Sequence, residues 1–500
     1  KEDGHDVLWH DGINERVPMA EYKERLKKFR PDFIFLETKA PMVTYHWRWI
    51  NEMKAVLGDD VKIAMSGDHI CYFPQESLDY SRLDYSITGG DFDFIVRGLV
   101  RHLEGRGEME PGVYHRGGNA GRAKFYDLNS APITDRDLTK WYLYSEAYLR
   151  SPAAYVLTGR GCAGDTDEHG DAITGVCSFC IWQHAFWQTT ARLRSPENFA
   201  EECEQLVKRY KVREVFDDND AGAVWNREWL EKFHDELVRR KILGKFTIAS
   251  NARADSLQEV DRVRLMKKIG YRLIKIGIET GSDETLKKIA KRETVDITNT
   301  GVRNVKDAGM VVLMTNMVGY PWETNEHLKM TYENAKNLLL YKPHFGDCLQ
   351  ASVVVPYPGS PLWRQAVAKK WFDVDPHDYE NFDMTRSVFT CEADTTFWVR
   401  KMWRLHLRPK FLIGSFLSLR SVEQIAHGWR GFVSLLGHIR DYGKPAATEV
   451  GDERSGEDAS TAKQENALPM TKPTAANASK PLPENGRDAA PSRTRETVAA

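Results

Sequence analysis

The sequence predicts an α/β protein with two parallel sheets in succession, the second one a partial barrel of six strand–helix units. Three observations predict this fold. Short apolar runs alternate with helical stretches over residues 1–125, and a second series of six apolar runs lies between residues 154 and 359. Polar or glycine-rich residues come directly after each run of the second series. Alternating strands and helices typically form parallel sheets with helices on both faces.

The first unit, residues 1–125, opens with "HDVLWHD", which we expect to be a strand. The helix "MAEYKERLKKF" and the strands "PDFIFLETK", "VKIAMSGDH" and "YSITGGD" are expected after it. If the opening run is the second strand of its domain, a first strand and helix are missing. Ligands bind such sheets at the carboxyl ends of the strands, where the sequence has "ETKAP", "SGDH" and "TGG". Small residues there admit a ligand close to the backbone; ordinary tight turns are the alternative.

The second unit, residues 150–370, follows the polar connector "GRGEMEPGVYHRGGNAGRAKFYD". Helical segments with good N-cap residues, such as "SPENFAEECEQLVKRY", separate its apolar runs. A barrel of this kind has its active site at the carboxyl ends of its strands. The six expected strands are "AYVLTGRGC", "EVFDDND", "FTIASNARAD", "RLIKIGIETGS", "MVVLMTNMVGYP" and "CLQASVVVPYPG".

The C-terminal part is expected to be a helical extension over residues 371–442 and a disordered tail over residues 443–500. The tail is rich in Ala, Pro, Ser, Glu, Asn and Lys and has almost no large apolar residues. The basic and aromatic stretch 400–442 packs on its own domain or, as the alternative, makes a peripheral membrane contact.

The composition limits the class of protein. The net charge of −2 gives no basic field for nucleic acid. No window of 18 uninterrupted apolar residues predicts a transmembrane helix, and the first residues do not resemble a signal peptide. The 7 cysteines in so long a chain fit a reducing, cytoplasmic compartment, where clustered cysteines indicate metal binding or catalysis.

Three of these cysteines, Cys162, Cys177 and Cys180, fall on one segment after the first barrel strand. Three interpretations stay open from the residues alone. A zinc site needs a fourth ligand, which His169 or His184 could supply. A redox dithiol uses only the last two thiols, and an iron–sulfur cluster with three thiolates leaves one iron open.

The motifs of the second unit resemble those of radical SAM enzymes. "TGRGC" and "CSFCIW" look like the cysteine signature, and "DDND", "ARAD", "GIETGSDETLKKI", "VGYPWET" and "PYPGSPLW" match the later strand ends in order, over residues 150–370. In the first unit, "SGDHICYFPQE" and "ITGG" are similar to the Rossmann-like cobalamin-binding domain of one large subfamily. That subfamily includes C- and P-methyltransferases, the anaerobic protoporphyrin-ester cyclase and hopanoid-modifying enzymes. The sequence departs in one place, because 14 residues separate Cys162 from Cys177 where the family usually has three.

The resemblance implies an α/β chain with a cobalamin-binding domain, a (β/α)6 radical SAM barrel, a helical extension and a disordered tail. It implies a [4Fe–4S] cluster, S-adenosylmethionine (SAM) and cobalamin as cofactors, with a 5′-deoxyadenosyl radical as the reactive species. The implied cluster ligands are Cys162, Cys177 and Cys180. The implied SAM-binding residues are Phe179, Ser250, Arg253, Glu279, Gly281 and Ser282. The expected cobalamin-binding residues are Thr38, Lys39, Ser66, Gly67, His69, Gly89 and Gly90.

Several expectations accompany this assignment. Asp217, Asp218 and Asp220 should point into the barrel mouth, and an ion pair between Glu279 and Arg253 is the structural alternative to SAM binding. Cys203 and Cys348 should be buried small residues.

The expected function is methylation of an unactivated carbon. A cyclisation or rearrangement without methyl transfer is the second hypothesis, and a non-catalytic corrinoid or zinc sensor is the third. The expected partners are a small-molecule substrate, large or partly apolar, and an electron donor such as flavodoxin or ferredoxin. No nucleic acid is expected as a partner.

Overall fold

The computed structural model describes residues 1–144, 146, 148–166, 172–174, 176–384, 386–419, 436–437 and 440. The part of residues 371–442 outside these ranges, and the tail predicted over 443–500, lie outside the described residues. The described chain forms two sheet-containing units, which confirms the predicted α/β fold class.

The N-terminal unit is a sheet of five strands in the order β1-β2-β3-β4-β5. Its first three strands are parallel, and the last two add antiparallel pairs at one edge. The strands are β1 (Phe33–Thr38), β2 (Lys62–Gly67), β3 (Tyr85–Ile87), β4 (Val113–His115) and β5 (Gly118–Asn119). The helices are α1 (Met19–Phe29), α2 (Val43–Leu57), α3 (Asp68–Tyr72), α4 (Pro74–Tyr80) and α5 (Phe92–Leu103).

Two expectations for this unit are wrong. The opening run "HDVLWHD" is not a strand, and its apolar residues Val7, Leu8 and Trp9 are 41–47% exposed. In a strand, three consecutive apolar residues would be divided between the two faces, so that neither face would have enough apolar side chains to be buried. The polar connector, in turn, contains the hairpin of β4 and β5, whose two-residue turn, Arg116 and Gly117, lies between the paired residues His115 and Gly118.

The second unit is an open sheet of six parallel strands in the order β6-β11-β12-β13-β14-β15. Its strands correspond to the six predicted runs and confirm the partial barrel. The six strands of this sheet are β6 (Ala153–Val156), β11 (Glu214–Asp217), β12 (Thr247–Ala252), β13 (Tyr271–Glu279), β14 (Val311–Val318) and β15 (Cys348–Val353). Four short strands lie outside it: β7 (Gly159–Arg160), β8 (Ala163–Thr166), β9 (Ala172–Thr174) and β10 (Arg192–Leu193).

Helices cover the outer face of this sheet and bury one large apolar core against it. Val215, Ile274 and Met314 on the strands contact Phe199, Phe233 and Leu338 within this core. The helices are α6 (Ile181–Ala185), α7 (Pro196–Lys208), α8 (Arg227–Arg239), α9 (Val260–Ile269), α10 (Asp283–Lys288), α11 (Val295–Asp307), α12 (Asn325–Leu339), α13 (Pro361–Lys369), α14 (Thr395–Trp403) and α15 (Pro409–Leu417).

The C-terminal helices cover the edge strand β15. The Trp403 indole donates to the Ala351 carbonyl at 3.0 Å, and the Leu349 N–H donates to His406 Nε2 at 3.0 Å. These side chains satisfy backbone groups that an open edge would expose. None of the helices in the described part of the chain has the length and apolar composition that a bilayer crossing requires.

Candidate active site at the junction of the two sheets

The three thiols follow β6 at the carboxyl end of the six-stranded sheet. Cys162 lies within electrostatic range of Cys177, and Cys180 lies within range of both. Among the described residues, no group of three or more His, Cys, Asp or Glu side chains converges tightly enough to hold a metal ion. The thiols therefore lie near one another without enclosing a single ion.

The long gap between Cys162 and Cys177 is occupied by a two-stranded ribbon. Strands β8 and β9 are antiparallel, with Ala163 opposite Thr174. Because Ala163 follows Cys162 directly and Thr174 lies three residues before Cys177, the ribbon returns the chain to where it left. The ribbon thus brings the backbone next to Cys162 close to the backbone that leads to Cys177, as a much shorter loop would.

Backbone hydrogen bonds fix the loop that carries Cys177 and Cys180. The Ser178 N–H donates to the Ile289 carbonyl at 2.8 Å, and the Leu362 N–H donates to the Ser178 carbonyl at 2.9 Å. The loop is therefore held between the end of α10 and the start of α13. Phe179, expected near SAM, packs beside an apolar cluster that includes Ile289 and Leu362.

Two buried cations lie beside the thiols. Arg253 donates to both Asp255 oxygens, with its shortest contact at 2.7 Å, and to the Lys291 carbonyl at 3.0 Å. Lys291 Nζ lies 3.1 Å from Glu279 and 3.5 Å from Glu293. The ion pair between Glu279 and Arg253, considered as the alternative to SAM binding, is therefore not formed. Glu279 pairs with Lys291, and Arg253 pairs with Asp255 and Glu293.

Lys291 and Glu293 were missed by the sequence analysis. Both are buried, in the segment "KRET" that follows α10, and a charged run at that position looks like a solvated surface. Lys291 and Arg253 both act on the thiols. Burial raises the pKa of Cys162 to about 12 and also raises that of Cys177, while the two cations lower both. Positive charge thus favours thiolates where burial opposes them.

The end of β13 is shaped by an unusual backbone conformation. Glu279 has a φ of 55°, which is uncommon for a residue with a side chain, and the register with β14 shifts at this point. The shift turns the Glu279 carboxylate toward Lys291. Strain of this kind concentrates at ligand sites.

Gly281 and Ser282 have clear structural partners. A β-carbon at Gly281 would lie 2.6 Å from the Met330 carbonyl on α12, so this glycine lets the chain pass close to that helix. Ser282 caps α10 by accepting from the Thr285 N–H at 3.3 Å. Their assignment to SAM binding stays a prediction.

Asp217 and Ser250 lie on the helix-facing side of the sheet. Asp217 accepts from the Thr158 hydroxyl at 2.7 Å and from the Ser250 hydroxyl at 3.2 Å, and all three residues are fully buried. Because side chains alternate along a strand, Asp217 cannot share a face with Asp218. The expectation that Asp217 points into the mouth is therefore wrong. The Ser250 hydroxyl, in turn, forms a hydrogen bond between neighbouring strands.

Asp218 and Asp220 do lie at the mouth. Asp220 is within electrostatic range of Cys162 and Cys180. Burial raises the pKa of Asp220 to about 6. Asp218 is exposed, and Asn251 is its neighbour on β12.

The carboxyl ends of β1 and β2 bring four of the predicted cobalamin-binding residues together. Thr38 lies opposite Gly67 in the register, and Gly67 has a φ of 142°. A β-carbon there would lie 2.0 Å from the Thr38 carbonyl oxygen, so the position requires glycine. Ser66 is buried, and its hydroxyl has no hydrogen-bond partner among the described residues. Lys39, next to Thr38, faces the second unit.

His69, Gly89 and Gly90 have partners inside the protein. His69 is fully buried, and its Nε2 lies 2.7 Å from Glu76. The Gly89 N–H donates to Cys71 Sγ at 3.3 Å. A β-carbon at Gly90 would lie 2.1 Å from the Trp187 ring, so this glycine serves the contact between the two units. Cobalamin binding by these three residues stays a prediction.

The two units meet through charged and aromatic contacts at this junction. Asp91, only 1% exposed, pairs with Arg160 at 2.7 Å and with Arg192 at 2.8 Å. Lys39 Nζ lies 3.8 Å from the centroid of the Trp182 ring on α6, two residues after Cys180. The carboxyl ends of both sheets therefore face the same space.

The other candidate ligands are placed as follows. His184 Nε2 lies 3.2 Å from the Cys177 carbonyl, so its ring contacts the backbone of the loop. His169 lies outside the described residues. Cys203 is fully buried in the outer core and Cys348 is partly buried on the inner face.

Known proteins resemble this chain in both sequence and fold. Residues 157–335 match the radical SAM superfamily. An uncharacterized methyltransferase of Pyrococcus horikoshii is 24% identical over 427 residues, covering 82% of this chain and 86% of that protein. The anaerobic magnesium-protoporphyrin IX monomethyl ester cyclase of Rubrivivax gelatinosus is 23% identical over 400 residues, covering 78% and 67%.

A solved structure extends the likeness to both units. The radical SAM methyltransferase TsrM of Kitasatospora setae, determined with cobalamin and a [4Fe–4S] cluster bound, superposes with a TM-score of 0.60 at 15% identity. The superposition covers 88% of this chain and 94% of TsrM. The chain therefore carries a radical SAM domain over residues 157–335, joined to an N-terminal α/β unit in the overall fold of TsrM.

Proposed function

We propose that this chain is a cobalamin-dependent radical SAM enzyme that methylates an unactivated carbon. The observation that carries the proposal is the gathering of Cys162, Cys177 and Cys180 at the mouth of the barrel, where the N-terminal sheet also ends. When bound, a [4Fe–4S] cluster supplies the electron that splits SAM to a 5′-deoxyadenosyl radical, and cobalamin carries the transferred methyl group.

The residues at the mouth fit a cluster with three protein ligands. Three thiols on one anchored loop supply the donors that iron–sulfur clusters use. Arg253 and Lys291 place positive charge beside them, which offsets the charge of three thiolates. The Nε and Nη2 donors of Arg253 are engaged by Asp255 and the Lys291 carbonyl, and its contact with the SAM carboxylate stays a prediction.

The N-terminal sheet offers a fit for the corrinoid at its carboxyl ends. The Ser66 hydroxyl has no hydrogen-bond partner in the part of the chain that the structure describes, and the backbone approaches closely at Gly67. Both features fit a surface that binds a ligand. Lys39 and Asp91 hold this edge against the cysteine loop. A ligand at these strand ends and one at the thiols would therefore adjoin the same space.

The test is anaerobic reconstitution of the full chain with iron, sulfide and cobalamin. We expect iron–sulfur absorbance, bound corrinoid and production of 5′-deoxyadenosine from SAM under reducing conditions. Zinc at one equivalent, without iron or sulfide after anaerobic purification, would instead support a non-catalytic metal-binding protein and overturn the proposal.

A cyclisation or rearrangement is the second candidate, favoured by the likeness to the ester cyclase. SAM labelled in its methyl group separates the two reactions, because label reaches the product only in a methylation. Extracts of the source cells, incubated with the reconstituted enzyme, supply the substrate for this test.

We also propose a small-molecule substrate, an electron donor of the flavodoxin or ferredoxin type, and a peripheral membrane contact. The contact is supported by α15, whose Ile413, Phe416 and Leu417 are 59–72% exposed. Flotation with anionic liposomes tests it, and protein that stays with the soluble fraction would contradict it.

A further inference from the structure

The inner face of the six-stranded sheet changes from apolar to polar toward the mouth. Near the amino ends of the strands, Phe216, Ala249, Leu273 and Leu313 pack together and are fully or almost fully buried. Closer to the carboxyl ends, several inward positions are polar and partly exposed, beside Gly277 and Met317. These positions are Asn251, Lys275, Thr315, Gln350 and Ser352.

The strand register places these polar side chains in two rows. Lys275 lies opposite Leu313 on β14, and Thr315 lies opposite Gly277, one row closer to the mouth. Asn251 lies opposite Lys275 on neighbouring strands, and Thr315 lies opposite Gln350. Their sequence neighbours Ile274, Ile276 and Met314 face the helices instead. The partly exposed residues therefore line an open space inside the sheet, below the cysteine loop.

Lys275 is the positively charged residue among these polar side chains, which together form the inner wall of the barrel. The described residues offer it neither a hydrogen bond nor an ion pair, although it is only partly exposed. Part of Asp218 is open to solvent, but its carboxylate lies deep enough that burial raises its pKa. Lys275 is near enough to oppose this rise, yet the two are not in ion-pair contact. The Lys275 ammonium, which has no partner among the described residues and is only partly exposed, is therefore available to bind a ligand.

Lys275 differs from Lys39, the other cation near Asp218, because it has no ion-pair partner among the described residues. Lys39 also lies within electrostatic range of Asp218, on the side of the N-terminal unit. Lys39 is paired with Glu37 at 3.2 Å, and Asp220 is a second carboxylate within range of Asp218.

The Asn251 amide donates to the Asn219 carbonyl at 3.0 Å, so the Gln350 amide is the further donor that this wall offers. Lys275 is therefore the cation that a bound carboxylate would need as its partner, because charge is costly to desolvate without partners.

We propose that Asn251, Lys275, Thr315 and Gln350 form a subsite for a carboxylate group of the substrate, with Lys275 as the residue that binds it. This subsite rests on the proposed function, because it identifies the class of substrate that the proposed enzyme would bind in its barrel. It makes the substrate an organic acid whose carboxylate enters the barrel below the thiols.

The test measures binding without turnover, so its outcome is separate from SAM cleavage. The full chain is dialysed to equilibrium against matched probes: indole-3-acetate and indole-3-ethanol, phenylacetate and 2-phenylethanol, octanoate and octanol. We expect the chain to bind at least one carboxylate about tenfold more tightly than its alcohol, as a hydrogen bond to a charged group provides.

Variants test whether Lys275 causes the preference for carboxylates over alcohols. Lys275→Gln should abolish this preference, and Lys275→Arg should retain most of it. Asp218→Asn should strengthen carboxylate binding several-fold, because it removes the opposing charge. Lys268→Gln, at an exposed position on the outer helix α9, should change nothing.

Thermal unfolding of each variant separates loss of the subsite from loss of the fold. A preference that survives in folded Lys275→Gln overturns the proposal. Equal binding of acid and alcohol by the unaltered chain, including no binding of either, overturns it as well.

Discussion

Lys291 Nζ lies 3.1 Å from Glu279 Oε1, and both residues are at most 7% exposed. This pair joins the strained end of β13 to the segment after α10, beside Cys177. The pKa of Lys291 is raised, because Glu293 and Glu279 outweigh the lowering effect of burial. Lys291 therefore stays charged and supplies fixed positive charge to the cysteine loop.

Replacing Lys291 with Met should destabilise the protein and weaken the cluster. The change leaves the buried Glu279 carboxylate without its cation, while Glu293 keeps Arg253 at 3.5 Å. Breaking a buried pair in this way costs about 3–5 kcal/mol. Denaturant unfolding of the purified chain measures the loss, and iron content after reconstitution measures the cluster.

Lys288→Met removes the exposed pair with Glu284 and a contact of Nζ with the Trp322 ring at 5.4 Å, and it should cost less than about 1 kcal/mol. Equal effects of the two variants would contradict this role of Lys291.

Cys162→Ala should remove most of the iron from the reconstituted chain. The variant leaves two thiols on the loop, and a cluster with one ligand missing is bound more weakly. Iron and sulfide analysis gives the result. Cys203→Ala, in the outer core, should keep full iron while losing a small amount of stability. A Cys162→Ala chain with an intact cluster would show that this thiol is not a ligand.

Deleting residues 164–174 should leave the cluster in place. The deletion joins Ala163 to Gly175 and gives three residues between Cys162 and Cys177, the spacing usual in the family. Because Ala163 pairs with Thr174, the cut falls at the base of the ribbon. Loop closure changes by only about 1–2 kcal/mol. Iron content and 5′-deoxyadenosine formation check the result, and loss of both would show that the ribbon is needed for the site.

The sequence predicted the parts of the site that depend on local pattern. Each run of apolar residues followed by polar ones marked a strand end, and the three thiols fell after the first of them. Asp91 could not be found in this way, because its partner Arg160 is distant along the chain and only folding brings the two together. Lys291 was missed because its burial depends on the packing of the segment after α10, which a charged local sequence does not indicate. Asp217 was misplaced for a related reason, since alternation along β11 decides which of two adjacent aspartates faces the mouth.

Asp91→Asn should destabilise the junction between the two units in a pH-dependent manner. Burial raises the pKa of Asp91, but hydrogen bonds from Arg192 and Arg160 outweigh it, so the pKa is lowered. A lowered pKa means that the carboxylate stabilises the fold above its ordinary value near 3.8 and ceases to do so as the pH falls through its lower folded value. The variant should lose about 3 kcal/mol at pH 7.

Denaturant unfolding at pH 7 and below pH 4 checks the Asp91 prediction, since the difference from the unaltered chain should shrink at the lower pH. Asp93→Asn provides the control. Asp93 also pairs with Arg160, at 2.6 Å, but its side chain is 45% exposed. We expect that variant to lose less than about 1 kcal/mol. A constant difference for Asp91→Asn across the pH range would contradict the linkage.

Glu323→Gln should stabilise the protein above neutral pH. Glu323 is 1% exposed and accepts from the Gly319 N–H at 2.8 Å and the Tyr320 N–H at 3.1 Å. Burial raises its pKa from 4.5 to about 7, so the charged form is disfavoured in the folded state. Stability is therefore lost as the pH rises from about 4.5 through 7, and it stays low above that range.

A glutamine keeps an oxygen for the two backbone donors and carries no charge, so its stability should not follow this trend. The advantage of the Glu323→Gln variant should grow between these pH values to the order of 3 kcal/mol. Unfolding free energies at pH 5 and pH 8 measure it. Glu326→Gln, at an exposed position in the first turn of α12, should show no such advantage. If both variants respond alike to pH, burial of Glu323 is not the source of the effect.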